Sequence, residues 1–460
     1  MSYSACCVRE TAVKQRKPRI GVLAVGRSTF DVEYAQAVFE SAWSRLQGLE
    51  ADLVGAPRVH YEADAALAAF AEIHAADIDL LLLLQVTFTD AAVCSEIAGR
   101  LDVPLLLWTF PEARTGGRLR LNSFCGVNLA AHTLSRKGKG LENVHGAPDS
   151  PDALQQIRDA AVAASIVREL AKAKILVIGD HPTGFDACNY KPDEIRERFG
   201  VESVTTPVSA FLASVKALPD SVADEPYARR ARDFKNLGEM DPVATRKTLK
   251  VYSALKSRAE KEGFAGIAVR CWPEFFTEYG CAACGAIALM NEDRRPGGCE
   301  ADMFGVISSL VLQSASGQGV FNTDLVDIDP AGDSVVFWHC GQAPLEMADP
   351  DVEPRATIHS NRKLPLLSEF PLKPGRITLC RITQGDGKLR MMLSGGEMIK
   401  APLAFSGTSG VARLDVHADL YRSRLLDAGM EHHTSLAYGE YRPVLRRVAR
   451  YLDLELLELT

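Results

Sequence analysis

The feature that most restricts the fold is an alternation of short apolar segments with amphipathic stretches of helical period. Residues 20–26 are apolar throughout, and Ser28 and Asp31 follow as residue types that commonly begin helices. Apolar side chains then recur at helical spacing at Ala35, Val38, Phe39, Ala42 and Leu46. Residues 78–84 and 104–108 are two further apolar segments. This alternation predicts a parallel sheet that is covered by helices on both faces.

A second round of the same pattern begins at residues 175–179, which are again apolar. Beyond residue 317 the pattern changes to β-rich segments, such as 376–382, separated by turns that contain glycine. We therefore predict an α/β fold in which two doubly wound parallel-sheet domains, residues 1–172 and 173–316, are followed by a β-rich, barrel-like domain at 317–460.

Charge and composition argue against several classes of partner. The 460 residues include 52 Lys and Arg against 59 Asp and Glu, and this net charge of −7 repels nucleic acid and anionic membranes. Residues 1–17 are polar and lack the apolar core of a signal peptide, and the leucine run 80–84 is too short to cross a membrane. We expect the 11 cysteines to be reduced, mostly buried thiols, and the protein to be cytoplasmic.

Two acidic segments contain the first candidates for chemistry. Glu300 and Asp302 stand two residues apart among small and apolar residues, where a buried carboxylate needs hydrogen bonds, a counter-ion or a metal. The alternative is that both carboxylates stabilise the start of a helix. Downstream, the strand-like run 320–327 presents Asp324, which could equally be an ordinary strand-edge aspartate.

Two histidine positions follow, and neither is decisive alone. His339 lies in an apolar strand-like segment, where a histidine is commonly a hydrogen-bonded core residue. His432 and His433 form a tandem pair near the end of the chain, and such a pair commonly lies on the surface. Cys281 and Cys284 form a CxxC pair, but a second pair at zinc-site spacing is missing, so buried small residues are the simpler interpretation.

The order of these residues resembles the L-fucose and L-arabinose isomerases over nearly the whole chain. Residues 299–302 look like the first metal-carboxylate region of that family, and residues 320–324 like the second. Residues 431–434 resemble its late histidine loop, and residues 338–341 resemble the additional histidine of the arabinose branch. The resemblance implies an aldose-ketose isomerase with a small sugar as substrate and a homo-oligomeric assembly.

The same resemblance implies the site residues. Glu300, Asp324 and His433 would be metal ligands, with His339 as a less secure fourth, and His432 could exchange roles with His433. A mixed carboxylate and imidazole set suits Mn²⁺ or another divalent cation. Glu300 and Asp324 would also be the catalytic acid/base pair, which moves a proton between C2 and C1 of the open-chain sugar through an ene-diol.

Two other functions compete with this interpretation. Two α/β lobes also describe a cytoplasmic sugar-binding sensor without catalysis, although a pure binder would not need the acid pair or the late histidines. A nucleotide-dependent oxidoreductase is disfavoured because residues 25–30 lack the glycine spacing of the dinucleotide fingerprint. Residues 180–186, Trp272 and Glu274 could form a pocket wall or be ordinary loop and core residues.

Overall fold

A computed structural model describes residues 16–460 of the chain. The polar N-terminal stretch discussed above, up to Gln15, lies outside the described residues. The described chain divides into two compact units, which are Arg16–Arg168 and the remainder from Glu169 to Thr460. Within residues 16–460, no helix is long and apolar enough to span a membrane.

The first unit is built around a 6-stranded parallel sheet with the strand order β2-β1-β4-β5-β6, in which β3 also pairs with β1. Every residue of its central strand β4 is buried, as expected for a strand with helices on both faces. The elements are β1 (Arg19–Val25), α1 (Val32–Leu46), β2 (Asp52–Val54), β3 (Val59–His60), α2 (Ala63–Ala75), β4 (Leu80–Gln85), α3 (Ala92–Arg100), β5 (Leu105–Thr109), α4 (Ser123–Ser135), β6 (Glu142–His145) and α5 (Pro151–Leu170).

Helix α1 shows how local sequence signals set the first unit. The side chain of Asp31 accepts a hydrogen bond from the Tyr34 backbone N–H and so caps the helix. The five apolar residues of the predicted stripe are the buried residues of this helix. The predicted strand–helix alternation is therefore confirmed at this position.

The second unit begins with another parallel sheet, which has four strands in the order β10-β9-β7-β8. Because all four strands point the same way, their carboxyl ends meet at one edge, where open α/β sheets commonly bind ligands. The elements are β7 (Lys174–Ile178), α6 (Pro192–Phe199), β8 (Glu202–Thr206), α7 (Val208–Ala217), α8 (Asp224–Asp233), α9 (Pro242–Glu262), β9 (Gly266–Val269), α10 (Ala283–Glu292), β10 (Gly297–Cys299) and α11 (Met303–Ser316).

The rest of the second unit is an antiparallel barrel. Strands β17, β12, β11, β18, β15 and β16 pair in that order, and the pairing of β16 with β17 closes the ring. The elements are β11 (Phe321–Asp329), β12 (Ser334–His339), β13 (Arg355–Thr357), β14 (Leu367–Pro371), β15 (Gly375–Gly385), β16 (Lys388–Ile399), β17 (Thr408–Leu414), α12 (Ala418–Asp427), β18 (His433–Tyr438), α13 (Arg442–Tyr451) and β19 (Glu455–Glu458). The predicted fold class is confirmed, while the domain limits at residues 172 and 316 stay a prediction.

One expectation about the cysteines is wrong. Cys271 and Cys299 form a disulfide with a Cα–Cα distance of 5.8 Å, so these two residues are not reduced thiols. The pairing follows from the sheet, because β9 and β10 are adjacent parallel strands and both cysteines lie at their carboxyl ends. Cys281 and Cys284 are buried free thiols, and the Sγ atom of Cys284 lies 3.9 Å from that of Cys299.

Candidate active site

Glu300 follows the last residue of β10, at the carboxyl edge of the parallel sheet. Its φ is 58° and that of Ala301 is 57°, so two successive residues with side chains adopt the left-handed region. Such backbone costs of order 1–3 kcal/mol per residue and is concentrated at functional sites. Of the two carboxylates, Asp302 caps α11 by accepting a hydrogen bond from Gly305 N–H at 2.9 Å.

Three adjacent barrel strands supply the other candidate residues. Asp324 on β11 lies directly opposite His433, the first residue of β18, and His339 is the last residue of β12. Directly opposed residues of an antiparallel pair share one face, so the register itself brings Asp324 and His433 together. Side chains that are more than a hundred positions apart in sequence thereby become neighbours.

The carboxylates and His433 converge on one point. His433 Nε2 lies 3.2 Å from Glu300 Oε2 and 3.4 Å from Asp324 Oδ1. The side chain of His433 is 1% exposed, whereas those of Glu300 and Asp324 are 14% and 18% exposed, so the point is reachable from solvent on the carboxylate side. We call these three residues the ligand cluster.

A second charged group lies directly behind the ligand cluster. Asp302 accepts hydrogen bonds from His433 Nδ1 at 2.9 Å and from Arg381 Nη1 at 2.6 Å. Arg381 also donates from Nε to Glu431 Oε1 at 2.6 Å, and Thr383 donates to the other Glu431 oxygen at 2.9 Å. We call Asp302, Arg381 and Glu431 the Arg381 network.

The Arg381 network decides which nitrogen of His433 carries a proton. Burial alone would raise the pKa of Asp302, but Arg381 and His433 hold it well below its usual range, so the carboxylate is ionised and can only accept. His433 must therefore donate from Nδ1, which directs Nε2 at the two carboxylates of the ligand cluster. A carboxylate behind a histidine in this way is the arrangement that orients metal-binding imidazoles.

The ligand cluster then needs a positive charge at its centre. Burial opposes a charge on His433, but the neighbouring Asp302, Cys188 and Glu300 raise its pKa well above the ordinary value, so the ring itself carries a positive charge when no metal is bound. His433 Nε2 and Asp324 Oδ1 are buried and have no hydrogen-bond partner among the described residues. A divalent cation would displace the Nε2 proton, and the freed nitrogen lone pair and the two carboxylates beside it could then all bind the cation. The residues present therefore fit a metal ion.

His339 fits the cluster less well. Its Nε2 is 4.0 Å from Asp324 Oδ1, and its ring is close enough to form a possible ligand group with Asp324 and His433. However, its Nδ1 accepts from the Cys340 backbone N–H at 2.8 Å, and the side-chain amide of Gln342 lies 2.8 Å from its Nε2. Burial lowers the pKa of His339, so the ring is neutral. Both ring nitrogens of His339 therefore already have protein partners, which disfavours metal binding.

His432 has a different position from His433. Its side chain is exposed, and its ring lies 4.3 Å from the ring of His433. Two of the three compact ligand groups in the described part of the chain contain His433, and none contains His432. The alternative in which the two histidines exchange roles is therefore disfavoured.

Aromatic residues form one wall beside the ligand cluster. Trp272 donates from Nε1 to Glu300 Oε1 at 3.0 Å, and Phe185 contacts Trp272 edge-on at 5.5 Å between ring centroids. The predicted pocket residue Glu274 instead pairs with Arg270 at 3.0 Å. Arg270 and Glu274 line a cavity of about 540 Å³ at the same sheet edge, and no residue of the ligand cluster lines this cavity.

Sequence reasoning missed two groups near the site. Arg381 lies within a predicted apolar strand, and a charge in such a setting is a signal of a buried ion pair. Cys188 is fully buried with Sγ 4.0 Å from His433 Nδ1, and burial raises its pKa to about 11, which keeps it a neutral thiol. No sequence signal marks Cys188, because its partner is contributed by a distant strand.

Comparison with known proteins gives the family. Residues 21–171 match the fucose/sulfoquinovose isomerase N-terminal domain, and residues 337–460 match the L-fucose isomerase C-terminal domain. A sulfoquinovose isomerase of Clostridium sp. (strain MSTE9) is 30% identical over 445 residues, which cover 95% of this chain and 98% of the relative. The chain belongs to the fucose/sulfoquinovose isomerase family.

Two more relatives support this fucose/sulfoquinovose isomerase assignment. The sulfoquinovose isomerase of Priestia aryabhattai is 29% identical, with 94% of this chain and 97% of the relative covered. That of Alkalicoccus urumqiensis is 27% identical, with 83% and 86% covered. The predicted resemblance and the predicted class of enzyme, an aldose-ketose isomerase, are confirmed.

Proposed function

We propose that this chain interconverts an aldose and its ketose in a reaction that depends on a divalent cation, and that the aldose carries an anionic group at carbon 6. Sulfoquinovose, the sugar named in its relatives, is the first candidate. One observation supports the cation most strongly: within residues 16–460, no lysine or arginine lies within ion-pair distance of Glu300 or Asp324. Two carboxylates that share a buried histidine, with no lysine or arginine beside them, suit Mn²⁺.

Glu300, Asp324 and His433 would hold the cation, with His339 as the fourth candidate. A bound divalent cation would polarise the two adjacent oxygens at C1 and C2 of the open-chain sugar. The orientation of His433 would be maintained by Asp302, as described above.

Glu300 and Asp324 would move the protons. Burial alone would raise the pKa of Glu300, but contacts with His433 and Trp272 lower it. The carboxylate is therefore ionised near neutral pH and able to accept a proton. The proton leaves C2, the electron pair forms the C1–C2 double bond of the ene-diol, and the proton is returned to C1. The hydroxyl proton passes from O2 to O1, so that a ketone replaces the aldehyde.

The remaining expectations are part of this proposal. We propose Mn²⁺ as the resident cation, a homo-oligomer as the assembly and the cytoplasm as the location, with no nucleic acid or membrane as partner. The alternative, a sugar sensor without catalysis, gives no role to the strained Glu300 turn or to the acid pair.

Conversion of aldose to ketose tests this proposal directly. The chelator-treated protein is assayed with and without added Mn²⁺ on a panel of pentoses, 6-deoxyhexoses and the 6-sulfonated hexose, beside Glu300→Gln. We expect ketose only with the metal, and a loss of about 10²–10⁴-fold in kcat for the variant. Absence of metal-dependent ketose with every sugar would refute the isomerase mechanism, and full activity of Glu300→Gln would refute the site.

A further inference from the structure

Arg362 lies on the segment between β13 and β14, and its guanidinium covers two aromatic rings. Its Cζ atom is 4.8 Å from the centroid of Trp272 and 5.2 Å from that of Phe276. All three side chains are half-buried. Stacking on two rings holds the long arginine side chain in one place and lowers the entropy that it loses when it binds a ligand.

Trp272 connects this arginine to the ligand cluster. The indole Nε1 donates to Glu300 Oε1 at 3.0 Å, so Arg362 and Glu300 contact the same indole ring. The guanidinium therefore lies over the face of the same indole whose Nε1 edge contacts the ligand cluster. An open-chain hexose that has C1 and C2 at the ligand cluster spans the width of an indole with its remaining carbons.

The charge on Arg362 is not balanced by an acid. Arg270 pairs with Glu274, and Arg381 pairs with Asp302 and Glu431. In the part of the chain that the structure describes, Arg362 has no carboxylate within ion-pair distance, and its Nη1 lies 3.2 Å from His359 Nε2. Burial, and to a smaller extent the charge of Arg362, lowers the pKa of His359 to about 4, so His359 is neutral near pH 7.

We propose that Arg362 and Trp272 form a subsite for the anionic group at carbon 6 of the substrate, an inference that rests on the proposed isomerase function. The planar guanidinium would donate two parallel hydrogen bonds to sulfonate oxygens, and the methylene at carbon 6 would pack against the indole. A phosphate at carbon 6 offers the same chemistry, so the test includes both anions. Arg362 determines specificity in this account and takes no part in the proton transfer.

The experiment varies the charge at carbon 6 of the sugar and the charge at position 362 of the protein. KM and kcat are measured for the 6-sulfonated hexose, the matching hexose 6-phosphate and the matching neutral 6-deoxyhexose, with wild type, Arg362→Gln and Arg362→Lys. We expect Arg362→Gln to raise KM for the sulfonated sugar about 10–100-fold, the range for a hydrogen bond to a charged group, and to leave KM for the neutral sugar unchanged. Arg362→Lys restores part of the loss because it keeps the charge without the planar fork.

Arg355→Gln is the matched control, because it removes the same charge from an exposed side chain on the neighbouring strand β13. It should change no KM. An equal rise in KM for the charged and the neutral sugar, or no rise for either anion, would overturn the subsite. A rise for the phosphate alone would also overturn the assignment to sulfonate.

Calorimetric titration separates this inference from the proposed function. The affinity of each protein for the sulfonated and neutral sugars is measured in the presence of Mn²⁺, where no turnover is needed to observe binding. Weaker binding of the sulfonated sugar alone to Arg362→Gln supports the subsite even if no ketose forms, a result that would refute the isomerase mechanism. Ketose from wild type with unchanged binding in Arg362→Gln would refute the subsite and leave the isomerase intact.

Discussion

Glu300 and Asp302 stand two residues apart, yet their charges are balanced in different ways. Asp302 is fully buried and accepts from Arg381 and His433, so the Arg381 network contains its own positive charge. Glu300 and Asp324 of the ligand cluster both approach His433 Nε2, and within residues 16–460 neither forms an ion pair with a lysine or an arginine. Asp302 thus belongs to a group that contains its own cation, whereas Glu300 belongs to the group for which we propose an external cation.

The largest effect is expected on the ligand cluster. Asp324→Asn removes one negative charge from the proposed cation site, and we expect kcat for ketose formation to fall about 10²–10⁴-fold. Unfolding by denaturant should show no loss of stability, since one of two facing carboxylates is neutralised. Asp327→Asn is the control, because Asp327 is exposed on the same strand. Equal activity of the two variants would contradict the division between the two groups.

A large effect on stability is expected in the Arg381 network. Arg381→Met leaves Asp302 buried without its cation, and breaking a buried pair in this way lowers the free energy of unfolding by about 3–5 kcal/mol. Arg376→Met on the same strand breaks ion pairs with Asp415 and Glu440 at the surface, which contribute about 1 kcal/mol or less. Denaturant titration of both variants measures the difference. Similar losses for the two would show that the Arg381 network is not the structural group.

An intermediate effect is expected where the two groups meet. Asp302→Asn weakens the acceptor that orients His433, and loss of such a partner costs about 10–100-fold in metal affinity. The readout is the dissociation constant for Mn²⁺, measured on the folded variant. Unchanged affinity would show that Asp302 acts on the fold alone.

The smallest effect concerns the surface pairs and depends on pH. Burial alone would raise the pKa of Glu440. Hydrogen bonds from Arg442 and Arg376 instead lower this pKa to about 2, against an ordinary value of 4.5. Because the folded-state pKa is the lower one, this stabilisation is complete above pH 4.5 and is lost as the pH falls towards 2. The difference in unfolding free energy between wild type and Glu440→Gln, less than about 1 kcal/mol, should vanish over that range. A difference in unfolding free energy that stays constant with pH would show that the ionised Glu440 carboxylate is not its cause.

The sequence predicts the elements of the fold better than their contacts. Helix α1 follows from periodicity, since its buried residues are those of the apolar stripe. The disulfide between Cys271 and Cys299 does not follow, because it depends on which strands are neighbours in the sheet. Arg381 is missed for the same reason, as its partners Asp302 and Glu431 come from other parts of the chain.

The candidate site shows the same limit. Glu300, Asp324 and His433 are suggested by a resemblance, and only the barrel register places the latter two opposite each other. The left-handed turn at Glu300 and Ala301 could not be predicted, because neither position is a glycine. The subordinate position of His339 depends on a backbone hydrogen bond from Cys340, which periodicity cannot reveal.

Binding of Mn²⁺ to the metal-stripped protein is the most direct test of the central claim, that Glu300, Asp324 and His433 hold a divalent cation. The protein is treated with chelator, dialysed and titrated with Mn²⁺ in a calorimeter, beside Asp324→Asn and Asp327→Asn. The account predicts one Mn²⁺ per chain in wild type and in Asp327→Asn, and strongly weakened binding in Asp324→Asn. No binding to wild type, or equal binding to all three proteins, would contradict it.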